Sequence, residues 1–315
     1  MYVGIDIGGT NLKAGLVDGE GRLLAARRTP LGPFQGGEYF VRRLAELTAQ
    51  VCRDGGVPPG ELEYVGMGVP GAVAGSEIVY TCNIPLKNVP VGRLFSQYLD
   101  VPVRLANDAD CAAVGEYFCG AGRGTKHFAV VTLGTGVGGG FILNGKLCSG
   151  GGMAGEVGHM VVERGGEPCA CGRRGCWEAY ASATALIRMT RETMERERDS
   201  LLWEVSQGGA AVTGRTAFDA ALRGDGAARA LCRRYAEYVA VGVVNLMNIL
   251  QPERLALGGG VGEAEDELLL TPVREIAARE SYAARCGGAQ TEVVQAELGN
   301  DAGVIGAALL GRAAE

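Results

Sequence analysis

The chain has 315 residues, of which 47% are hydrophobic, so it is long and apolar enough for one large domain or two linked domains. Its formal net charge of −6 argues against a nucleic-acid or anionic-membrane partner, because both require a basic surface. Its apolar runs are well short of the roughly 20 residues that span a bilayer, and its N-terminus lacks the pattern of a secretory signal. We therefore expect a cytoplasmic protein.

The first part of the chain predicts three strands, followed by alternating helices and strands. Apolar segments separated by glycine-rich turns indicate strands over 2–8, 11–18 and 22–31. Apolar residues at helical spacing then predict a helix over 37–56. The elements predicted after it are a strand over 62–70, a helix over 91–100, a strand over 101–108 and a helix over 109–122.

Near residue 127 the same pattern begins again. Three strands with tight turns are predicted over 127–134, 138–145 and 146–150. After a cysteine-rich segment and several helices, the remaining predicted elements are a strand over 254–260, a helix, a strand over 291–298 and a helix over 302–314.

This repetition predicts two similar α/β halves, each opening with a glycine-turn hairpin. Such a pair of domains would bind a ligand in the cleft between them. We place the boundary near residue 120, which gives domains over 1–120 and 121–301. The last helix, at about 302–315, is expected to pack on the first domain.

Many of the 52 glycines lie at the ends of apolar segments. Two stretches among them resemble known nucleotide-binding motifs, but neither has the sequence context that its motif requires. A G-x-G-x-x-G pattern at Gly134, Gly136 and Gly139 should precede a helix, but the next residues are strand-like. The segment 140–147 resembles a P-loop, but it ends on Leu147 where a hydroxyl should bind Mg²⁺. We reject both interpretations.

Two glycine turns at matching places in the two halves, "DIGGTN" (6–11) and "LGTGVGG" (133–139), are the better candidates for binding phosphate. Consecutive glycines turn backbone N–H groups toward one point, and a threonine adds a hydroxyl donor. One such turn alone is more often an ordinary tight turn. Two in corresponding positions favour a nucleoside triphosphate.

Asn107 and Asp108 follow a predicted strand and precede a predicted helix. Asn and Asp are preferred helix N-caps, which is one explanation of the pair. The other is a reactive carboxylate at the carboxyl end of a strand, where open α/β sheets place their chemistry. The sequence alone leaves both open.

A cysteine cluster predicts a metal site. Cys169, Cys171 and Cys176 lie within eight residues, and His159 precedes them. Three thiolates and an imidazole are a common structural zinc set, and a reducing compartment disfavours disulfides. Such a site would fix the positions of Glu156 and Glu178, whose carboxylates suit sugar hydroxyls.

With these residues assembled, the chain resembles the ROK family of sugar kinases, within the actin-like ATPase-domain superfamily. The resemblance covers nearly the whole chain. The motifs that carry it, in chain order, are "DIGGTN", "GVPG" (68–71), "ANDAD" (106–110), "LGTGVGGG" (133–140), "GEVGH" (155–159), "CACGRRGCWE" (169–178) and "LGGG" (257–260). It implies two actin-like (ribonuclease H-like) α/β domains, each a mixed sheet flanked by helices, with an interdomain cleft.

The resemblance also implies roles for individual residues. Asp108 would be the catalytic base for a sugar hydroxyl. The other sugar-binding residues would be Gly71, Asn83, Asn107, Glu156, His159 and Glu178, with His159 also binding zinc beside Cys169, Cys171 and Cys176. The residues implied for ATP are Asp6, Gly8, Gly9, Thr10 and Asn11 in the first turn, Thr132, Gly134, Thr135 and Gly136 in the second, and Gly258, Gly259 and Gly260 near the adenosine. Mg²⁺ would accompany ATP, with Asp6 nearby.

Glucose is the expected substrate, phosphorylated at the 6-hydroxyl. The segment after "GVPG" departs from many glucokinases of the family, because Ile84, Pro85 and Leu86 follow Asn83. Allose, fructose, mannose, N-acetylglucosamine and N-acetylmannosamine therefore stay open as substrates. The alternative to a sugar kinase is a protein that senses a sugar without catalysing a reaction. Repressors of the family carry a DNA-binding domain ahead of "DIGGT", which begins at residue 6 here. We therefore expect an enzyme. The resemblance further implies a homodimer or homotetramer.

Overall fold

A computed structural model of the chain describes residues 1–81 and 84–313. Its strands are β1 (Tyr2–Ile7), β2 (Asn11–Val17), β3 (Leu23–Pro30), β4 (Tyr64–Val69), β5 (Gly71–Ala74), β6 (Glu77–Thr81), β7 (Lys87–Val89), β8 (Val103–Asn107), β9 (Phe128–Leu133), β10 (Val137–Leu143), β11 (Lys146–Leu147), β12 (Arg254–Gly258) and β13 (Glu292–Gln295).

The helices lie between groups of these strands and are most frequent in the second half of the chain. They are α1 (Gly37–Asp54), α2 (Val91–Phe95), α3 (Asp108–Cys119), α4 (Glu178–Ala181), α5 (Ala183–Arg196), α6 (Leu202–Val205), α7 (Thr216–Leu222), α8 (Gly226–Leu250), α9 (Gly259–Gly262), α10 (Leu270–Glu280), α11 (Tyr282–Cys286), α12 (Ala302–Ala308) and α13 (Leu310–Ala313). Short 3-10 helices span Pro59–Glu61, Val157–His159 and Gly299–Asp301. Among the described residues, none of the helices combines the length and the apolar character needed to cross a membrane.

The first sheet has the strand order β3-β2-β1-β4-β8. β1, β2 and β3 pair antiparallel, whereas β4 lies parallel to both β1 and β8. In register, Tyr2 of β1 is opposite Val17 of β2 and Tyr64 of β4. β4 is buried at every position, as its run of apolar residues and glycines requires for a strand covered on both faces.

A second five-stranded sheet has the order β11-β10-β9-β12-β13, in which β12 and β13 pair parallel. Both sheets mix parallel and antiparallel pairs, as the predicted fold class requires. A further three-stranded sheet, β5-β6-β7, lies between residues 71 and 89, where the sequence analysis predicts no strand. Its strands are only three to five residues long and half-exposed, so their hydrophobic pattern is too weak to predict them.

Several predicted elements are longer than the observed ones. The helix predicted over 91–100 ends at Phe95, and the strand predicted over 146–150 contains only Lys146 and Leu147. The helix predicted over 302–314 is interrupted at Leu309. Tyr64 explains that interruption, because its hydroxyl donates to the Ala308 carbonyl at 2.6 Å and accepts from the Gly311 N–H at 2.9 Å.

Contacts divide the chain into two compact units. The first contains Met1–Val130, Gly140–Gly155 and the chain from Glu297 onward, and the second contains Val131–Gly139 and Glu156–Ala296. The units therefore interleave along the sequence. The domain boundary predicted near residue 120 stays a prediction.

In the first unit, helix α12 packs directly on β1 and β4. Two glycines make this close packing possible. A Cβ at Gly4 would lie 1.9 Å from the Val304 carbonyl oxygen, and one at Gly66 would lie 1.7 Å from that of Ala307. The core of this unit therefore requires glycine at both positions, independently of any ligand.

Candidate functional site

The junction between β8 and α3, in the first unit, brings together three residues that the sequence analysis assigns to the sugar. Asn107 is the N-cap of α3, and its side-chain oxygen accepts from the Ala109 N–H at 2.8 Å. Its side-chain N–H donates to the Gly71 carbonyl at 3.3 Å. Asp108 is half-buried as the first residue of α3, and its carboxylate also accepts from the Ala109 N–H, at 3.0 Å.

The capping explanation is therefore correct for Asn107, which also fixes the Gly71 backbone. Asp108 lies beside it with a carboxylate at the carboxyl end of a parallel strand, the position typical of reactive groups in such sheets. Asn83, the other sugar-binding residue expected in this part of the chain, lies outside the described residues.

The first glycine turn (6–11) connects β1 and β2 in the same unit. The Gly8 N–H donates to the Asn11 carbonyl at 2.9 Å, and the Asn11 side chain donates to the Thr10 hydroxyl at 2.8 Å. Gly9 and Thr10 are exposed at its tip. Burial raises the pKa of Asp6 at the end of β1, and Lys13 on the neighbouring strand opposes the shift.

Lys13 is a residue that the sequence analysis missed. It lies opposite Asp6 in the β1–β2 pair, and its ammonium group donates to the Asn300 carbonyl at 2.6 Å and to the Asp301 carboxylate. The signal was present in the alternation of the strand, which places Lys13 on the same face as Asn11. Lys13 therefore places an ammonium group, paired with the Asp301 carboxylate, beside the first glycine turn.

The second glycine turn (133–139) lies in the second unit and closes in a similar way. The Gly134 N–H donates to the Gly136 carbonyl at 3.0 Å, and Thr135 is exposed between them. The Thr184 hydroxyl anchors the turn by donating to the Thr135 carbonyl at 2.8 Å. Gly259 lies against its first strand, since a Cβ there would be 2.7 Å from the Leu133 carbonyl oxygen. Of the three glycines predicted to lie near the adenosine, the structure thus brings Gly259 to the strand that leads into this turn.

Glu178 connects this turn to the cysteine cluster. One of its carboxylate oxygens accepts from the Val137 N–H at 3.2 Å, and the other lies 3.6 Å from the Cys169 sulfur. A Cβ at Gly136 would lie 2.1 Å from the first of these oxygens, so a side chain at this position would displace the Glu178 carboxylate. A change in the cysteine cluster can therefore reach the second glycine turn through one side chain.

The cluster itself has the arrangement of a four-ligand metal site. The ligand atoms of His159, Cys169, Cys171 and Cys176 all lie within 4.8 Å of one another. The Cys169 sulfur is 3.7 Å from Nδ1 of His159, and the Cys171 and Cys176 sulfurs are also 3.7 Å apart. The predicted ligand set is thus assembled by the fold.

The thiols of this cluster differ in acidity. Burial raises the pKa of Cys169 to about 12, whereas the backbone N–H of Arg173 lowers the pKa of Cys171. Because thiols bind metal ions as thiolates, a cation in the cluster would displace these protons.

His159 links the cluster to Glu156. Its Nδ1 faces Cys169, while its Nε2 lies 3.9 Å from a carboxylate oxygen of Glu156. His159 ends the 3-10 helix Val157–His159, and Glu156 is the residue before that helix. Within the second unit, the structure therefore gathers the carboxylates of Glu156 and Glu178 around the cysteine cluster. These are two of the residues that the sequence analysis assigns to sugar hydroxyls.

Comparisons with known proteins give a consistent result. The model of the ROK family matches residues 2–314. A glucokinase of Thermotoga maritima is 37% identical, with 97% of this chain and 95% of that protein aligned. A glucokinase of Halalkalibacterium halodurans is 35% identical over 97% of this chain and 93% of that protein. Among solved structures, a ROK family glucokinase from Streptomyces griseus, in complex with glucose and AMPPNP, is 34% identical with a TM-score of 0.83 and covers 98% of each chain.

Proposed function

Because this chain belongs to the ROK family, we propose that it transfers the γ-phosphoryl group of ATP to the 6-hydroxyl of glucose. The observation that carries the proposal is the half-buried carboxylate of Asp108 at the carboxyl end of β8, beside an asparagine that is itself fixed by Gly71. The glucokinases that align over more than 90% of both chains support glucose as the acceptor.

Asp108 acts as the general base in this proposal. The oxygen of the sugar hydroxyl forms a bond to the γ-phosphorus, the bond from that phosphorus to the bridging oxygen of ADP breaks, and the hydroxyl proton moves to Asp108. Phosphoryl transfer passes through a loose transition state, so the protein mainly positions groups and stabilises charge. Asn107 supports this role by capping α3 and holding Asp108 at its first position.

The two glycine turns bind the triphosphate through backbone N–H groups. Thr10 and Thr135 are exposed at their tips and offer hydroxyl donors. Gly258, Gly259 and Gly260 would take the adenosine, and the packing of Gly259 on Leu133, which begins the second turn, supports this. Mg²⁺ bound with ATP would neutralise phosphate charge, and the Asp6 carboxylate is the kind of hard oxygen ligand that suits it.

We assign the cysteine cluster to structural Zn²⁺, held by His159, Cys169, Cys171 and Cys176. The donor set fits, because tetrahedral zinc with Zn–S distances of about 2.3 Å places two sulfurs about 3.8 Å apart. The Cys171 and Cys176 sulfurs are 3.7 Å apart. The ion would hold the backbone between Glu156 and Glu178, so that their carboxylates and the His159 imidazole bind sugar hydroxyls.

We further propose that the protein acts in the cytoplasm, where ATP is available, as a homodimer or homotetramer without a nucleic-acid partner. The family resemblance supports the oligomer. The net charge of −6 is in accord with the absence of nucleic acid.

ADP release from ATP–Mg²⁺, measured against one sugar at a time, tests the function. The panel contains glucose, allose, fructose, mannose, N-acetylglucosamine and N-acetylmannosamine. We expect kcat/KM for glucose to exceed the others by at least about tenfold, because a few hydrogen bonds to hydroxyls suffice for that discrimination. A different sugar in first place would change the substrate, and silence across the panel from folded, zinc-replete protein would favour a sugar-sensing protein.

A further inference from the structure

A buried carboxylate lies two turns after Asp108 on the same helix. Glu116 of α3 is only 1% exposed. Its side chain accepts hydrogen bonds from three backbone N–H groups, at 2.9 Å from Ala121, 3.1 Å from Glu297 and 2.7 Å from Leu298. These donors come from two segments that are far apart in the sequence. Glu116 therefore joins the end of α3 to the beginning of the C-terminal segment.

Taking a carboxylate out of water is costly unless it is fully hydrogen-bonded, and backbone donors are the least movable partners a protein has. The Glu116 carbonyl also accepts from the N–H groups of Gly120 and Gly122, at 3.0 and 2.9 Å. A Cβ at Gly120 would lie 2.1 Å from the Glu116 carboxylate. The groups around Glu116 thus hold its carboxylate in one position.

The segment that Glu116 holds leads directly to the first glycine turn. Leu298 is followed by the 3-10 helix Gly299–Asp301 and then by α12. Gly303 in the first turn of α12 packs on Asp6, since a Cβ there would lie 3.1 Å from the Asp6 carboxyl carbon. The position of α12 therefore decides how closely Asp6 is packed.

Helix α12 also lies in backbone contact with α3. A Cβ at Gly306 would lie 1.6 Å from the Cys111 carbonyl oxygen, and one at Gly115 would lie 2.4 Å from that of Ala302. Helices this close cannot slide past one another without a clash, because packed interiors leave no free volume. A single rigid pair thus supports Asp108 at the start of α3 and Asp6 beside α12.

We propose that Glu116 is a positioning residue for phosphoryl transfer. It fixes the α3–α12 pair, and through that pair it sets the place of the base Asp108 relative to Asp6 at the phosphate turn. This role rests on the proposed function. A residue that only stabilises the fold would not affect the chemical step in fully folded protein. The positioning role predicts that changing Glu116 slows that step even when the protein is fully folded.

The test is Glu116→Gln, which keeps the shape but places an amide NH₂ among backbone donors. We expect kcat with glucose to fall by about 10- to 100-fold, because misplacing a catalytic group by about 1 Å costs that much. KM for glucose should stay within about threefold, since none of the sugar-binding residues is changed. Glu116→Asp keeps the charge and should recover part of kcat.

Glu297→Gln is the matched control, because it removes an exposed carboxylate at the same place and leaves the backbone N–H that Glu116 binds. It should leave kcat unchanged. Gly120→Ala is a second route to the same effect, since the added Cβ displaces the Glu116 carboxylate without removing it. If Glu116→Gln does not fold, Gly120→Ala and Glu116→Asp carry the test.

Amide hydrogen exchange separates the inference from the proposed function. We expect Glu116→Gln, but not Glu297→Gln, to speed exchange both in 106–112 and in 297–305. Wild-type kcat in folded Glu116→Gln or Gly120→Ala would overturn the inference and leave the proposed function intact. If the wild type phosphorylates no sugar, the proposed function is wrong. If, in addition, Glu116→Gln leaves hydrogen exchange unchanged in both segments, the positioning role is wrong as well.

Discussion

At the scale of single residues, the proposed reaction depends most on Asp108. The sequence places it between a strand and a helix, and the structure adds what no pattern in the sequence could supply. Asn107, not Asp108, is the N-cap, and Asp108 is the first residue of α3, with a carboxylate that also accepts from the Ala109 N–H. Asn107 is in turn tied to Gly71, 36 positions earlier in the chain. That bond could not be predicted from the sequence, because it depends on the neighbouring positions of β5 and β8.

Asp108→Asn should lower kcat by about 10²- to 10⁴-fold, the usual contribution of a general base. The affinity for glucose should stay within about threefold, because the amide keeps the size of the side chain and an oxygen that can accept from the Ala109 N–H. Asp100→Asn is the control, since it changes an exposed aspartate just ahead of β8. Steady-state kinetics and calorimetric titration of glucose check both quantities. Turnover within tenfold of the wild type would remove Asp108 from the mechanism.

At the scale of elements, the metal cluster shows how much a local pattern can predict. Its four ligands lie within 18 residues, and the structure brings all four together. The bond from Glu178 to the second glycine turn was not predictable, because Val137 lies 41 positions away. The elements in between determine that contact.

Cys171→Ser should remove the metal and weaken glucose binding by about 10- to 100-fold, because residues that orient a site act through geometry. Elemental analysis and glucose titration are the measurements, and the wild type should contain about one zinc per chain. Cys286→Ser changes an exposed cysteine outside the cluster and should keep both metal and affinity. Wild-type protein that is purified without chelator and contains no zinc would contradict the assignment.

Helix α8 provides a prediction about pH. Burial alone would raise the pKa of its N-cap Asp225, but hydrogen bonds from the N–H groups of Ala228 and Leu201, both at 2.7 Å, lower it below the usual value. A carboxyl whose pKa is depressed by folding stabilises the native state above its unfolded pKa of about 3.9, and this contribution is lost as the pH falls through the folded value.

Asp225→Asn should therefore lower the free energy of unfolding by about 1 kcal/mol at pH 7, because Asn remains a good N-cap but the hydrogen bonds from Ala228 and Leu201 lose the carboxylate charge. The difference from the wild type should shrink as the pH falls through the folded pKa of Asp225. Urea unfolding at a series of pH values measures it, with Asp199→Asn, at an exposed position, as the control. A difference that does not change with pH would show that the Asp225 charge has no part in it.

At the scale of the whole molecule, the sequence predicted the family and an α/β fold with mixed sheets, and both are confirmed. It did not predict the purpose of many glycines. The glycines interpreted from the sequence were those of the turns and binding motifs, whereas Gly4 and Gly66, outside those motifs, let α12 lie against β1 and β4. Helix–sheet packing of this kind joins residues about 240 to 300 positions apart, which periodicity cannot reveal.

The proposed reaction of this chain makes a phosphate ester of glucose. The most direct test is to incubate zinc-replete protein with glucose, ATP and Mg²⁺ and to identify the products by phosphorus and proton NMR. We predict equal amounts of ADP and a glucose ester phosphorylated at the 6-hydroxyl, with almost no product from Asp108→Asn. Release of inorganic phosphate without an ester, or an ester formed equally well by Asp108→Asn, would contradict the account.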